Sequence, residues 1–496
     1  MSDQSATLAL LSDPATWGGA VPERIDTHIS TVFMAGDTVL KLKKAVTLPF
    51  LDFSTVEARR AACEAELEVN RRAAPDLYLG LARVMRAADG RLAVDGDGEA
   101  VDWLVRMRRF DQADLFTRLA EDGRLDRRLL QELTEAVVRF HGAAPVRSDR
   151  GGVAGLTWTI DTNRASMLPS APAILDPAKV EALAARSRDW LDRLAPLIED
   201  RRARGLVRQC HGDLHLGNIC LFQGRPTLFD AIEFSEDIAC IDVFYDLAFL
   251  LMDLDCRGWR GFASVVLNHY LDVTGDYEAV PLLPLLLSLR AGVRAHVCAT
   301  MGAGDDARRY LDAALAYLEP PQPRLLAVGG LSGSGKSRMG RELAPFLAVP
   351  GAAVVRTDAL RKQMMGVSVH DKLGPDGYTR EVTARTYRRL LDTCAALLAA
   401  GHSVVADAVF AKPGQRQDIE RVAREAGLRF DGLWLEAPPD IARDRIRART
   451  GNASDATVEV FDQQLGYDVG PMSWTRIDTG GSKDEALAAG RAALGV

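Results

Sequence analysis

The sequence carries no surplus of positive charge: 61 Lys and Arg against 68 Asp and Glu leave a formal net charge of −7. A general nucleic-acid binder needs a basic stripe to neutralise phosphates, so nucleic acid is not an expected partner; a local basic pocket for one phosphate group is still compatible. Cysteine is sparse, and Cys63, Cys210, Cys220, Cys240, Cys256, Cys298 and Cys394 show no C-x-x-C spacing. An odd count without a framework argues against structural disulfides and for reduced, buried thiols in a cytosol. Met1 to Trp17 lacks the basic start and apolar stretch of a signal peptide. The most apolar run, Val280 to Leu289, is far shorter than the ~20 residues of a membrane helix and reads as a buried core helix. No membrane partner and a cytoplasmic location are therefore expected. Internal repeats and low-complexity segments are also absent.

What is present is enough chain for more than one core. The 496 residues, 47% hydrophobic and 26% charged, fit a soluble globular protein of several domains. Three prolines in Glu319-Pro320-Pro321-Gln322-Pro323 cannot continue the helix expected over Asp305 to Leu318. The expected division is thus a domain over 1–319, a proline-rich linker at 320–323 and a second domain over 324–496. In the first, strands expected over 28–44 and 80–107 flank a helix from Ser54 to Ala73, giving a small lobe of about 20–107. A larger helical lobe, about 108–319, follows, with a strand-rich island between Val207 and Phe234. After the linker, strands at 325–328, 352–356, 403–406 and 431–435 alternate with helices starting near 336, 379, 413 and 438. That alternation predicts an α/β domain with a mainly parallel sheet.

Gly330-Leu-Ser-Gly-Ser-Gly335-Lys336-Ser337 matches G-x-x-x-x-G-K-[ST] between a predicted strand and a predicted helix. Glycines at 330, 333 and 335, with Ser332 and Ser334 between them, let backbone N–H groups curl round phosphates at a helix N-terminus. Lys336 reaches the β/γ-phosphates and the Ser337 hydroxyl ligates Mg²⁺, so this is a candidate ATP site. Asp358 follows a predicted strand, where a carboxylate faces the ligand crevice and can take a proton from a substrate hydroxyl. Arg361, one helical turn on, is a candidate ligand for an anionic substrate group; helix capping is the alternative for Asp358. Asp407 ends another strand, as a Walker B carboxylate near Mg²⁺ does, with capping again the rival. Arg445 and Arg449 share a helix face before the polar loop Thr450 to Asp455. They are candidates to neutralise a transferring phosphoryl group, against the plainer reading of a solvated basic face.

In the first domain, His211-Gly-Asp213-Leu-His-Leu-Gly-Asn218 follows a predicted strand, and Asp230 lies twelve residues past Asn218. H-x-D-x-x-x-x-N with a later Asp supplies what phosphoryl transfer to a hydroxyl requires. Asp213 orients or deprotonates the acceptor, Asn218 and Asp230 hold Mg²⁺, and His211 fixes the loop. His215 reads as a satisfied polar residue rather than a base.

These two stretches resemble two families. HGD-x-x-x-x-N, with Leu228-Phe229-Asp230-Ala-Ile-Glu233-Phe234 and Ile241-Asp242-Val-Phe-Tyr-Asp246, resembles the aminoglycoside phosphotransferase and choline kinase superfamily over about 20–318. The resemblance implies a protein-kinase-like bilobal α+β fold and makes Asp246 a buttress for the catalytic loop. It also implies an ATP lysine on a small-lobe strand, which Lys41 fits best with Lys43 as the alternative. Their carboxylate partner comes from the helix of Glu64, Glu66 and Glu68, where Glu66 aligns best. No glycine-rich loop precedes Lys41 beyond Met34-Ala35-Gly36-Asp37, and Asp102 to Met107 is the expected hinge for adenine. The Walker loop, Asp358-Ala-Leu-Arg361, Asp407 and the Arg445-Ile-x-x-Arg449 pattern resemble the small P-loop kinases related to zeta toxin and gluconate kinase over about 324–480. Together the resemblances imply an ATP- and Mg²⁺-dependent phosphotransferase acting on a small-molecule hydroxyl, with a second P-loop kinase site. A single kinase gated by a nucleotide-sensing P-loop module is the alternative. Neither acceptor nor the oligomeric state is specified by these residues.

Overall fold

The computed structural model describes residues 4–48, 51–170, 173–448 and 454–496. Packing divides the chain into two units, Met1–Trp158 with Ala195–Leu250, and Thr159–Leu194 with Leu251–Val496. The helices that precede the proline run therefore pack with the Walker-motif half.

The first unit is built on a six-stranded antiparallel sheet. Its spatial order is Glu23–Asp26, Ser30–Ala35, Thr38–Lys43, Glu99–Arg108, Tyr78–Arg86 and Leu92–Val94. Alternation sends successive side chains to opposite faces. Phe33, Leu40, Leu42 and Leu104 pack with Leu11 on one side. Met34, Val39, Val105 and Met107 pack with Cys63, Leu77 and Tyr78 on the other. The helix Val56–Arg71 starts there, where the Thr55 hydroxyl accepts from the Ala58 N–H at 3.1 Å. The same parity places Lys41 and Lys43 on the face of that helix. Asp102 to Met107 is not a hinge. It lies inside the strand Glu99–Arg108, which pairs with Thr38–Lys43 on one side and Tyr78–Arg86 on the other. Its backbone is committed to those ladders, and the chain leaves the sheet only after Arg108.

The island after Val207 consists of Val207–Gln209 paired with Cys240–Asp242, and a hairpin of Ile219–Phe222 with Arg225–Leu228. The segment from His211 to Asn218 is suspended between them, anchored by the fully buried Leu214 and Leu216.

In the second unit a five-stranded, wholly parallel sheet runs in the order Ala353–Arg356, Val404–Asp407, Arg324–Gly330, Arg429–Glu436 and Thr475–Asp478. The first four match the expected strands within a few residues. The fifth buries Ile477 alone, so it carries no apolar run that a sequence could announce. Helices Lys336–Leu343, Arg380–Ala399, Pro413–Glu425 and Pro439–Arg447 begin where expected. The run from Val280 to Leu289 belongs to a longer helical stretch, Tyr277–Thr300, whose length and mean hydropathy of 1.3 would suffice to cross a membrane. Of its most apolar window 78% is buried inside the protein, which is the behaviour of a core helix.

Candidate active sites

The first site is organised around a buried carboxylate. Glu66, fully buried on the helix Val56–Arg71, meets Lys41 Nζ at 2.8 Å and Lys43 Nζ at 2.5 Å. Lys41 also reaches Asp230 at 2.5 Å, and Lys43 pairs with Glu233. Burial alone would lift the Glu66 carboxyl, but the two ammonium groups outweigh it and hold it well below the ordinary range. Burial likewise opposes the charge on Lys41, and Asp230 and Glu66 overcome it, raising that pKa. Glu233 goes the other way, pushed up by burial against the pull of Lys43. The two lysines thus occupy different surroundings. Lys41 bridges the interior to a carboxylate that is half exposed, whereas Lys43 is sealed in.

The loop beyond is held by backbone–carboxylate bonds. Asp246, fully buried, accepts from His211 N at 3.1 Å and Gly212 N at 2.9 Å, and His141 Nε2 lies 3.1 Å from it. His211 Nε2 sits 2.9 Å from the Phe229 carbonyl, tying the loop to the segment of Asp230. Burial pushes the His211 imidazole pKa down, so the ring is neutral, which suits a structural strut. Asn218 Nδ2 donates to the Asp213 carboxylate at 2.9 Å, and the Asn218 carbonyl accepts from Phe229 N at 3.0 Å. Asp213, Asn218 and Asp230 are therefore brought together. His215 Nδ1 accepts from Gly217 N at 3.0 Å, which leaves its Nε2 to face Asp213 at 3.4 Å. Asp230 adopts φ 61, a left-handed conformation costly for a non-glycine residue, and its N–H donates to the Tyr78 hydroxyl at 3.0 Å.

These side chains fit Mg²⁺ by donor chemistry, since hard cations take oxygen ligands. The Asn218 amide nitrogen is spent on Asp213, so its oxygen is the atom left to a cation, beside the carboxylates of Asp213 and Asp230. The rings of Phe110 and Phe229 lie 5.2 Å apart just past the end of the strand Glu99–Arg108, where the chain has left the sheet.

In the second site the strand Arg324–Gly330 feeds the loop and the helix Lys336–Leu343. Gly330, Gly333 and Gly335 have φ 145, 81 and 89. At Gly333 a Cβ would lie 2.6 Å from the Ala442 carbonyl oxygen, so only glycine fits that bend. Ser332 and Ser334 are buried, while Lys336 and Ser337 are half-buried at the mouth, and Lys336 Nζ lies 3.5 Å from the Leu331 carbonyl. Such a loop, opening on the free N–H groups of a helix's first turn, fits a phosphate chain, and the Ser337 hydroxyl fits its Mg²⁺.

Asp407 pairs with Val328 across the sheet, two residues before the loop begins. It is buried and accepts from Arg356 Nε at 3.3 Å. Asp358 stands in the first turn of the helix Thr357–Met364, whose N-cap is Arg356 without a side-chain cap bond; Asp358 is therefore not the cap. Arg361 is buried, donates to the Gly377 carbonyl at 2.7 Å and lies 4.8 Å from the centre of the Tyr378 ring. Arg445 donates to the Thr479 carbonyl at 2.6 Å, and the Thr479 hydroxyl donates to the Ser334 carbonyl at 2.9 Å, so Arg445 is linked to the loop. Arg449 lies outside the described residues. Among residues the sequence did not single out, Thr479 and Gln464 brace the loop, the latter accepting from Ser332 N at 2.8 Å. Arg356 carried one legible signal, a charge at the end of an otherwise apolar strand.

A bilobal kinase-like fold with an H-G-D loop, followed by a Walker loop on a parallel sheet, defines a two-domain protein of the phosphotransferase class. Residues 35–283 match the phosphotransferase enzyme family, residues 325–467 match an AAA domain, and the chain belongs to the former family. An uncharacterized protein of Mycobacterium tuberculosis is 30% identical over 479 residues, 93% of each chain. An adenylyl-sulfate kinase of Myxococcus xanthus is 34% identical over 125 residues, 24% of this chain and 62% of the other. Among solved structures, a choline/ethanolamine kinase family protein from Mesorhizobium loti aligns at 16% identity and TM-score 0.38, covering 63% of this chain and 92% of that one. An APS kinase of Mycobacterium tuberculosis aligns at 22% identity and TM-score 0.28, covering 36% and 99%.

Proposed function

We propose that the chain is an ATP-dependent phosphotransferase of the cytosol that phosphorylates a small-molecule hydroxyl at the first site and binds ATP at a second, P-loop kinase site. The observation that carries the first part is the convergence of Lys41, Glu66 and Asp230 with Asp213 and Asn218. In this reading Asp213 accepts the hydroxyl proton as the acceptor oxygen bonds to the γ-phosphorus and the bond to the ADP oxygen breaks. Lys41, held by Glu66, binds the phosphates, and Asn218 and Asp230 hold Mg²⁺. The ion supplies charge neutralisation between the phosphates. Phe110 and Phe229 offer apolar surface for the adenine.

At the second site Gly330 to Ser337 cradle the phosphates, Asp407 faces the Mg²⁺ shell, and Arg445 neutralises charge beside the loop. Asp358 acts as base and Arg361 binds the acceptor. That Asp358 caps nothing supports the assignment. All seven cysteines are free thiols, six of them buried, which supports a reducing compartment.

The test is a screen of hydroxyl metabolites with γ-labelled ATP on the full chain. Asp213→Asn is expected to abolish one transfer activity and Lys336→Ala the other. Two single mutants that both transfer like the parent would refute the assignment.

A further inference from the structure

The helix Arg260–Thr274 lies within the stretch matched by the phosphotransferase family, yet it packs in the unit of the Walker motif. It lies along the free edge of the parallel sheet. Asn268 Oδ1 accepts from Val354 N at 2.7 Å, and its Nδ2 donates to the Ala352 carbonyl at 3.2 Å. One amide side chain thus satisfies the edge strand as a neighbouring strand would. Four residues on, Asp272 enters the site. Its Oδ2 accepts from Arg356 Nη1 at 3.0 Å and from Arg341 Nη2 at 2.8 Å.

Arg356 is shared. Its Nη1 goes to Asp272 and its Nε to Asp407 at 3.3 Å, while its Nη2 is buried without a partner. A guanidinium prefers to grip one carboxylate with two parallel bonds. Here it is split between two carboxylates, with the shorter bond on Asp272 and the longer on Asp407. All three side chains are at most 3% exposed, so water screens none of these charges. Without the charge of Asp272, the carboxylate already bonded to the guanidinium is Asp407, with Asp358 acting on it only at longer range.

We propose that Asp272 is a positioning residue for the P-loop site: it draws Arg356 off Asp407 and so keeps that carboxylate's charge available to Mg²⁺. This rests on the reading of Asp407 as the Mg²⁺-facing carboxylate. Asp272 touches neither nucleotide nor metal in this scheme; it acts through Arg356 alone.

The experiment titrates Mg²⁺ against a fluorescent ATP analogue on the full chain, taking as the P-loop signal the component lost in Lys336→Ala. Melting temperatures are recorded for every variant. Asp272→Asn is expected to raise the half-saturating Mg²⁺ concentration about tenfold, the lower end for loss of a residue that orients a metal ligand. The double variant Asp272→Asn/Arg356→Gln is expected to return it to within about threefold of the parent, because the competing cation is gone; a purely structural defect would deepen instead. Asp272→Glu keeps the charge and is expected to keep the parent's Mg²⁺ dependence even at a lower melting temperature. An unshifted Asp272→Asn, a double variant worse than the single, or a Glu variant that loses Mg²⁺ affinity each overturns the proposal. Asp407→Asn separates the two levels. If it leaves the Mg²⁺ dependence unchanged, the reading of Asp407 fails and the proposal with it; if it shifts while Asp272→Asn does not, the proposal alone fails.

Discussion

The two small-lobe lysines answer to different physics, and substituting each by methionine separates them. Lys43 is 1% exposed and lies between Glu66 and Glu233, themselves 0% and 4% exposed. Lys43→Met keeps the volume but strands a buried negative charge, a defect that costs about 3–5 kcal/mol when one partner of a buried pair is removed. Glu233, whose carboxyl burial already pushes toward protonation, can relieve part of it by taking up a proton. The expected cost is therefore about 3 kcal/mol, the low end of that range. A chain of several domains lacks a single unfolding equilibrium, so the assay is hydrogen exchange across the helix Val56–Arg71. About 3 kcal/mol corresponds to exchange on the order of a hundredfold faster in that helix, at roughly tenfold per 1.4 kcal/mol. Lys43→Met/Glu233→Gln, which removes both partners, is expected to recover much of the protection. Lys41→Met should do the opposite: Asp230 is 47% exposed and rehydrates, and the buried Glu66 keeps Lys43 as its partner, so protection stays near the parent's while transfer at the first site is lost. Acceleration under about threefold in Lys43→Met, or a larger structural cost for Lys41→Met, would refute this division.

Two further outcomes follow from the geometry. Burial pushes the His296 and His402 imidazoles down to about 4, so the unfolded chain, titrating near 6.5, binds more protons than the folded one between these values. Their contribution is intact above about pH 6.5 and is lost as the pH falls to about 4; protection factors from hydrogen exchange in the second unit, which holds both rings, should drop across that window, His402→Gln should flatten the slope, and an unchanged slope would refute the assignment. Gly333→Ala meets both a left-handed φ of 81 and a contact of 2.6 Å with the Ala442 backbone, whereas Gly335→Ala at φ 89 meets open space. Fluorescent-nucleotide titration should find the first far weaker at the P-loop site than the second, and equal losses would contradict the packing argument.

Contiguous signals were the legible ones. The Walker loop and the H-G-D segment each hold their chemistry within eight residues, and the alternation of apolar strands with helices announced the parallel sheet. Strand parity put Lys41 and Lys43 on one face, but which carboxylates each would meet depends on Asp230 and Glu233, brought in by tertiary packing. The strand character of 80–107 was legible, but where the chain leaves the sheet was not: Asp102 to Met107, expected as the hinge, is paired on both sides within the strand Glu99–Arg108. The helix from Leu283 to Thr300 was underestimated in length since Arg290, Arg294 and His296 interrupt its apolar run, although Arg290 is buried. Asp272, Arg356 and Thr479 lie far apart in sequence and carry no motif, so only the packed sheet shows that they share the neighbourhood of one loop.

Asn268 has a consequence for anyone dividing the polypeptide at its prolines. A fragment starting at Arg324 keeps every recognisable kinase motif of the second half, yet it discards the amide that occupies Val354 N and Ala352 O. The outermost strand of such a piece would stand bare, a template for recruiting another copy's backbone. Excision at the obvious seam thus trades a self-contained module for a sticky one, whereas a cut upstream of Arg260 retains the cover.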